Sequence, residues 1–443
     1  MPDFTPDYTL IGAGPVGALM ALLLARRGQR VRLFERRPDP RQAPPERGRS
    51  INLALAARGL TALAHADLSA RIAPLLMPMP GRMLHDERGA LQFLRYGQHQ
   101  REVIYAASRE QLNRTLIDAA AASNAIDLRF DTRCLDVDPL AGCVLLRDER
   151  SGQDYREAFA VLLGADGAGS AVRTALAGRG LLRAHESPLA HDYKELALPP
   201  GFEAQALHIW PRGGYMLIAL PNTDASFTAT LFLPRHGDPG FDQLSTDAAV
   251  QHLFDTQFGD AAAMMPDLTR QFFAHPQSRL GTLHCDRWQV DGRILLLGDA
   301  AHAIVPFHGQ GLNCGFEDCR LLDQLLVTGV ASDPDARAAL FARFERERRP
   351  DTDAIATMAL ENYQEMRDTV RSPLFVRRQA LASELERRFP ERFIPRYSMV
   401  MFHPEIPYAE AQRRGAAQQR VLDALLAAHD RPELESLLQS AGL

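Results

Sequence analysis

Residues 8–37 read YTLIGAGPVGALMALLLARRGQRVRLFERR, and this stretch decides the fold. A short apolar run ends at Gly12, a helical pattern covers about Pro15 to Arg27, and a second apolar run follows Gly28. Strand, glycine turn, helix and strand in this order form the βαβ unit of a parallel sheet. The sequence therefore predicts an α/β protein that begins with a Rossmann-like segment.

Three glycines of this stretch fit the pattern G-x-G-x-x-G of dinucleotide-binding sites. Gly12 permits a tight turn, Gly14 lets the backbone approach a pyrophosphate, and Gly17 allows close packing of helix and strand. The helix N-terminus attracts phosphate, and Glu35 can accept hydrogen bonds from ribose hydroxyls. Because the sequence contains this pattern once, we expect one tightly held dinucleotide and a second that binds transiently.

Two later segments have the same order of buried strand, glycine-containing turn and helix. The first covers residues 161–173 and the second residues 294–313. In the second, Asp299 can accept a hydrogen bond from a ribityl hydroxyl, and the helix start near Leu312 and Asn313 can supply donors to a flavin ring. Both segments favour FAD as the resident dinucleotide.

The region between these segments has a different pattern. Residues 207–233 alternate in polarity and contain glycine and proline turns, which predicts antiparallel strands. The predicted organisation therefore has a discontinuous FAD-binding domain, an inserted, mainly antiparallel β substrate domain and a helical C-terminal region. The FAD-binding domain covers residues 1–75, 100–180 and 285–330. The substrate domain covers residues 76–99 and 181–284, and the C-terminal region covers residues 331–443.

Composition restricts the classes of partner. The net charge of −5 gives no basic surplus for phosphate backbones, so we expect no nucleic-acid partner. The five cysteines include no C-x-x-C pair, which predicts no disulfide framework, no metal site and a reducing, cytoplasmic location. No apolar run reaches the roughly 20 residues of a bilayer span. Residues 421–443 are typical of an amphipathic packing helix rather than a membrane anchor.

The three nucleotide-binding motifs together resemble the single-component FAD-dependent aromatic hydroxylases. Within that group the sequence is most similar to the kynurenine 3-monooxygenase family, in its soluble bacterial form. The stretches that carry this resemblance cover nearly the whole chain. They are GRSINLAL (48–55), HIWPRG (208–213), MLIALPN (216–222), AIVPF (303–307) and NYQEMR (362–367).

The resemblance implies a set of cofactor contacts. By position these are Val16, Glu35, Arg36, Arg37, Ala54, Arg109, Leu135, Asp299, Leu312 and Asn313. The candidate set is completed by the glycine positions and their neighbours, Gly12, Gly14, Gly17, Phe34 and Gly311.

The resemblance also implies substrate contacts, namely Arg82, Tyr96, Asn362 and Tyr397. An arginine can pair with an amino-acid carboxylate through two hydrogen bonds, and a phenol can add a third. Phe307 is a candidate wall for the aromatic ring. Taken without the resemblance, the first three side chains would be a solvated loop residue, a core aromatic and a surface helix residue.

The implied reaction is hydroxylation of L-kynurenine to 3-hydroxykynurenine with NADPH or NADH and O2, through a flavin hydroperoxide. The cofactor would carry the difficult step, so no catalytic side chain is predicted. The sequence contains neither H-E-x-x-H nor G-x-S-x-G. Two alternatives stay open at this point: hydroxylation of another aromatic acid of the salicylate or quinoline type, and a flavin-binding redox sensor without turnover.

Overall fold

The computed structural model describes residues 4–42, 52–326, 333–369, 372–427, 438–439 and 442. Residues 48–51 of the GRSINLAL stretch lie outside these ranges, as does much of the helix predicted for residues 421–443. Val421 does not start a helix, because it lies well inside one that runs from Tyr408 to Ala427.

The strands follow one another along the chain with these bounds. They are β1 (Tyr8–Ile11), β2 (Val31–Phe34), β3 (Asn52–Leu55), β4 (Met77–Met79), β5 (Gly81–His85), β6 (Leu91–Arg95), β7 (Ile104–Ser108), β8 (Ile126–Arg129), β9 (Thr132–Asp138), β10 (Cys143–Asp148), β11 (Asp154–Ala158), β12 (Leu162–Gly164), β13 (Ala184–Leu198), β14 (Leu207–Pro211), β15 (Met216–Pro221), β16 (Phe227–Pro234), β17 (Gln277–Cys285), β18 (Gln289–Val290) and β19 (Ile294–Leu296).

The helices lie between and after these strands. They are α1 (Pro15–Arg26), α2 (Ala57–His65), α3 (Ser69–Ile72), α4 (Arg109–Ala121), α5 (Ala171–Gly178), α6 (Asp247–Gln257), α7 (Gly259–Ala262), α8 (Leu268–Ala274), α9 (Asp299–His302), α10 (Gly311–Leu325), α11 (Pro334–Gln364), α12 (Pro373–Arg388), α13 (Arg396–Phe402) and α14 (Tyr408–Ala427). A π-helical turn, Glu365–Thr369, follows α11 directly.

Contacts divide the chain into two compact units. Unit 1 consists of Met1–Leu76, Ala107–Pro188 and Gly281–Ala356, and unit 2 consists of Met77–Ala106, Leu189–Leu280 and Thr357–Leu443. The sequence set residues 331–443 apart as a third region, whereas here most of that region groups with unit 2. The domain limits proposed from the sequence stay a prediction.

Unit 1 is built on a six-stranded sheet of order β18-β19-β12-β1-β2-β8. The pairings from β19 through β8 are parallel, and β18 is antiparallel to β19. The strands are short, apolar and buried, as expected when helices cover a parallel sheet. Helix α1 follows β1 after a glycine turn, begins with Pro15 at its first position and packs against α10. The predicted Rossmann-like α/β architecture is confirmed.

Unit 2 is built on a seven-stranded sheet of order β17-β13-β16-β15-β14-β5-β6. Most of the described pairings in this sheet are antiparallel, but β14 and β5 run parallel. An aromatic core that includes Trp210, Phe254 and Phe258 joins this sheet to α6 and to residues near α7. A second apolar cluster joins α12 and α14. Among the described helices, none has the length and apolar character needed to cross a bilayer.

Candidate active site

The glycine turn after β1 contains two glycines that the fold requires and one that it does not. Gly12 has φ +98°, and a side chain there would lie about as close as 2.5 Å to the Ala165 carbonyl oxygen. A Cβ at Gly17 would clash with the Gly12 carbonyl oxygen. A Cβ at Gly14 would meet no protein atom within 4 Å. The space in front of Gly14 is therefore open, as a pyrophosphate held at the N-terminus of α1 would need.

Glu35 is buried and joins the end of β2 to this turn. One carboxylate oxygen accepts from the Ala13 amide at 2.9 Å, and the other accepts from the backbone and side chain of Arg37 at 3.1 and 2.9 Å. Phe34 accepts at its carbonyl from the Gly12 amide at 2.8 Å. A carboxylate has about four acceptor positions, so Glu35 keeps capacity for ribose hydroxyls. Arg36 and Arg37 follow it at the exposed surface.

The segment at residues 161–173 forms a turn at Asp166 and contacts the later turn that contains Asp299. Asp166 accepts from the Ser170 hydroxyl at 2.6 Å and from the Ala171 amide at 2.7 Å, so it stabilises the start of α5. Burial raises the pKa of Asp166, although these hydrogen bonds oppose the shift. The buried Arg173 donates to the Ala300 carbonyl at 3.1 Å. These contacts fix the position of the later turn that contains Asp299.

The loop before α10 is held by the side chain of Asn313. Its oxygen accepts from the Ala56 amide at 2.9 Å, and its nitrogen donates to the carbonyls of Ala54 and Gly309 at 2.8 and 2.7 Å. Gly309 is left-handed, with φ +63°. Asn313 would therefore contribute to a cofactor through its backbone, together with Gly311 and Leu312 at the helix start. Within the described contacts, α10 begins without a side-chain cap or a first-turn acid.

Asp299 is exposed at the first position of α9. Desolvation by surrounding protein raises its pKa, and the positive charge of Arg109 offsets part of that shift. Arg109 is the exposed first residue of α4. Val16 lies beneath this turn, since a Cβ at Gly298 would lie 3.3 Å from its methyl groups. The structure thus brings the early glycine turn and the late turn to one place in unit 1.

Leu135 is partly buried on β9, outside the two turns. The strand is connected to the site at its start, where the Thr132 amide donates to the Glu35 carbonyl at 2.8 Å. Phe307 and His308 are both buried in the loop before α10.

A buried ion network supports the late turn. Asp318 accepts from the Gly298 amide at 3.0 Å, from His302 Nε2 at 2.7 Å and from Arg348 Nε at 2.7 Å. His302, Cys314 and Asp318 have ligand atoms within 4.8 Å of one another, which is a metal-like arrangement. The guanidinium of Arg348 already supplies the cation there, because it also lies 3.1 Å from the Cys314 sulfur. The network is structural, and the sequence did not reveal it.

The four residues predicted to contact the amino-acid end of the substrate lie in unit 2, and three of them form one cluster; Phe307, the candidate ring wall, belongs to unit 1. Tyr96 and Tyr397 stack with ring centroids 5.6 Å apart and share a hydrogen bond. Arg82, on β5, acts electrostatically on both phenols. Desolvation raises the pKa of Tyr397 to about 12 and that of Tyr96 well above its ordinary value. Both phenols therefore stay neutral, and the one that accepts their shared hydrogen bond keeps its own proton to donate near Arg82.

Asn362 is buried on α11 and donates to the Met366 sulfur at 3.3 Å, so it is not the surface residue that its type suggests. Sequence reasoning missed Glu365, three residues further on. Desolvation raises the pKa of Glu365, and the charge of Arg82 is the largest opposing influence. Its signal was present, because Glu365 lies within the NYQEMR stretch and follows Asn362 at i+3, which is one helical face.

Comparison with known proteins agrees with this geometry. The family model described as "FAD binding domain" matches residues 7–359. A kynurenine 3-monooxygenase of Stenotrophomonas maltophilia is 47% identical over 430 residues, with 96% of this chain and 93% of that protein covered. The chain belongs to the kynurenine 3-monooxygenase family.

Other relatives agree. A kynurenine 3-monooxygenase of Myxococcus xanthus is 44% identical over 441 residues, which covers 98% of this chain and 94% of that protein. The crystal structure of a probable FAD-dependent monooxygenase from Pseudomonas aeruginosa matches with a TM-score of 0.66 at 20% identity, over 82% of this chain and 97% of that one. At this identity the likeness concerns the fold alone. As a member of the kynurenine 3-monooxygenase family, the chain is an FAD-dependent monooxygenase.

Proposed function

We propose that this enzyme hydroxylates L-kynurenine at the ring carbon ortho to the amine, giving 3-hydroxykynurenine, with NADPH and O2 as co-substrates. The observation that carries the proposal is the cluster of Arg82, Tyr96 and Tyr397 in unit 2 of a chain that belongs to this family. A cation beside two neutral phenols suits the carboxylate of an amino acid. A salicylate- or quinoline-type acid has no α-ammonium group that could pair with the nearby Glu365.

Unit 1 is proposed to hold FAD. The open space at Gly14 and the uncapped start of α1, within the described contacts, suit the pyrophosphate, and Glu35 suits a ribose. Asp299 and the backbone at Gly311, Leu312 and Asn313 would face the ribityl chain and flavin. The remaining proposed contacts are Gly12, Val16, Gly17, Phe34, Arg36, Arg37, Ala54, Arg109 and Leu135. When bound, FAD supplies the redox chemistry that transfers electrons from NADPH and activates O2.

The chain's own residues bind and orient the amino-acid end of the substrate. Arg82 pairs with the carboxylate, and the phenol whose proton is not used in the bond between Tyr96 and Tyr397 donates to it without a competing negative charge. Glu365, when ionised, is placed to accept from the α-ammonium group, while Asn362 fixes the helix end before it. The substrate amine itself donates electron density to the ring, so the protein needs no base for that step.

A cytoplasmic location is proposed on the state of the cysteines. All five, Cys134, Cys143, Cys285, Cys314 and Cys319, are free thiols. Burial raises the pKa of Cys314 and Cys319 well above the ordinary value, so both stay protonated and unreactive. Proteins of a reducing compartment typically keep cysteines in this form.

Substitution of Arg82 tests the proposal. Arg82→Ala is expected to raise the Michaelis constant for L-kynurenine roughly a hundredfold, since a charged hydrogen-bonded pair is lost, while FAD content stays unchanged. Glu365→Gln should raise the constant for L-kynurenine but not for an analogue without the α-amine. The control is Arg88→Ala, an exposed arginine in the turn of the same hairpin. The assay is NADPH oxidation with product identification by mass spectrometry.

An unchanged Michaelis constant in the Arg82 variant would place the carboxylate site elsewhere. Stimulated NADPH oxidation that yields only hydrogen peroxide would make L-kynurenine an effector and not the substrate. No stimulation at all would remove the proposed hydroxylation and leave a flavin-binding protein of another function.

A further inference from the structure

A chain of hydrogen bonds joins three titratable side chains inside unit 2. The Asp260 carboxylate lies 2.5 Å from His85 Nδ1, and His85 Nε2 lies 2.8 Å from His208 Nδ1. His208 Nε2 lies 2.8 Å from the Glu203 carbonyl oxygen. Both imidazoles are buried, and Trp210 donates to the second Asp260 oxygen at 2.8 Å while it stacks on His85 at 4.0 Å. The proposed reaction uses none of these groups.

The Asp260 carboxylate and the Glu203 carbonyl, at the two ends of this chain of hydrogen bonds, fix the number of protons that the chain holds. A carbonyl oxygen only accepts, so His208 Nε2 carries a hydrogen toward Glu203. One proton lies between Asp260 and His85, and another must lie between the two imidazoles, because two lone pairs cannot bond. Three hydrogen bonds thus hold three protons. That is one more than a carboxylate and two neutral imidazoles provide, so the chain contains an ion pair and has no net charge.

The surroundings disfavour a positive charge on His208. Burial lowers the pKa of His208 to about 4, so the additional proton is not held as a charge on that ring. Burial alone would raise the pKa of Asp260, but hydrogen bonds from His85 and Trp210 outweigh it and hold the value below the ordinary one. Other charged groups near these side chains include the Glu203 carboxylate, which acts on His208, and Arg212, which donates to the carbonyls of His85 and Asp86 at 3.0 and 3.3 Å.

His85 lies on β5, the strand that carries Arg82, and His208 lies on the neighbouring strand β14. Parallel pairing sets Arg82 of β5 opposite Leu207 of β14, and Met83 opposite His208. Side chains alternate along a strand, so Arg82 and His85 point to opposite faces of the sheet. The bond between His85 and His208 therefore ties β5 to β14 behind the position from which Arg82 projects.

We propose that Asp260, His85 and His208 are positioning residues for Arg82, and that their shared proton keeps β5 in the register that presents Arg82 to a substrate carboxylate. The inference rests on the proposed function in one respect, which is that Arg82 binds the substrate carboxylate. Loss of the proton sets two lone pairs 2.8 Å apart, or breaks the bond to Glu203 if His208 changes tautomer. One hydrogen bond of the three is lost either way, and in the first case it is the bond between β5 and β14, so substrate binding weakens as the pH rises.

Asp260→Asn gives the sharpest test, because it keeps the size of the side chain. The amide oxygen can accept from Trp210 while the amide nitrogen donates to His85 Nδ1. His85 then donates from Nε2 to His208, and all three bonds form with both rings neutral. Substrate binding by this variant should no longer depend on the proton. His208→Phe, in contrast, removes the hydrogen bond between positions 85 and 208 at every pH. It keeps an aromatic ring beside Phe202 and Phe227.

The measurement is the dissociation constant of L-kynurenine on the oxidised holoenzyme across a pH series. The wild type should bind roughly fivefold more weakly above the transition than below it, the effect of about one hydrogen bond. The midpoint should coincide with loss of a proton in the 15N spectra of His85 and His208. Asp260→Asn should keep the low-pH dissociation constant of the wild type at every pH, and His208→Phe should keep the weaker, high-pH value. In both variants kcat at saturating L-kynurenine should change less than the dissociation constant.

Two results would overturn the proposal. The first is a 15N titration in which the two rings together never carry more than two protons. The second is an Asp260→Asn enzyme that keeps the wild-type pH dependence, since L-kynurenine titrates identically in both samples. A wild-type enzyme whose NADPH oxidation is not stimulated by L-kynurenine would remove the proposed function but leave the 15N result standing, so the two failures are distinguishable.

Discussion

At the scale of single residues, the glycine turn separates what the fold needs from what a ligand needs. Gly12 and Gly17 cannot carry a side chain, because a Cβ at either would collide with backbone. Gly14 has an ordinary φ of −66°, and a Cβ there would meet nothing within 4 Å. No described contact of the polypeptide requires glycine at position 14, and the open space in front of it is where a pyrophosphate would lie.

The variant Gly14→Ala follows from this contrast. Its FAD-free form should lose no more than about 1 kcal/mol in free energy of unfolding, the size of an N-cap preference, whereas its FAD affinity should fall roughly tenfold or more. Gly17→Ala should fail to fold stably. Urea unfolding of the apoprotein and fluorescence titration with FAD measure the two quantities. Unchanged FAD affinity in Gly14→Ala would show that the cofactor does not approach this turn.

At the scale of elements, α10 is held in place by buried charges. Glu317 and Asp318 are neighbours on this helix, and both are almost fully buried. Arg58 of α2 pairs with Glu317 at 2.7 Å, and Arg348 of α11 pairs with both acids at 2.8 and 2.7 Å. A buried ion pair is weak evidence for stability in itself, but removal of one partner leaves an uncompensated charge. The network thus fixes the loop that precedes α10.

Asp318→Asn is expected to lower the free energy of unfolding by about 3–5 kcal/mol and to weaken FAD binding. Burial alone would raise the pKa of Asp318, but the charges of His302 and Arg348 and their hydrogen bonds hold it below its ordinary value. The stabilisation is therefore present at neutral pH and is lost as the pH falls through that lowered pKa. The matched control is Arg343→Ala on α11, whose exposed pair with Glu347 should contribute less than about 1 kcal/mol. Equal losses in both variants would contradict the assigned role.

Elements with local signals were predicted well from the sequence. The helix predicted for Pro15 to about Arg27 is α1, Pro15–Arg26, because a glycine turn and a proline set its start and Gly28 sets its end. The parallel pairing of β5 with β14 was not predicted, since the strands lie more than a hundred residues apart. For the same reason the Arg58–Glu317–Arg348 network and the His85–His208 bond escaped sequence analysis. Glu365 did lie in a quoted stretch, but its burial depends on the tertiary fold.

At the scale of the whole molecule, the two groups of candidate residues separate between the two units. Every proposed cofactor contact lies in one of the three segments of unit 1, and Arg82, Tyr96, Asn362 and Tyr397 all lie in segments of unit 2. The segments of each unit are far apart in sequence. A ligand that contacts all segments of one unit therefore contacts residues that do not occur together in any short fragment of the chain.

Hydrogen exchange of the full chain tests this separation. A ligand that binds only the native state slows exchange through local opening, by about 2.7 kcal/mol or roughly a hundredfold at a concentration of 100 Kd. FAD should protect the turn at residues 12–17, the start of α4 at Arg109 and residues 298–313 together. L-kynurenine, added to the holoenzyme, should add protection in β5 and α13. Protection by FAD confined to the first 40 residues would contradict a site assembled from separated segments, because those segments would then not share one ligand.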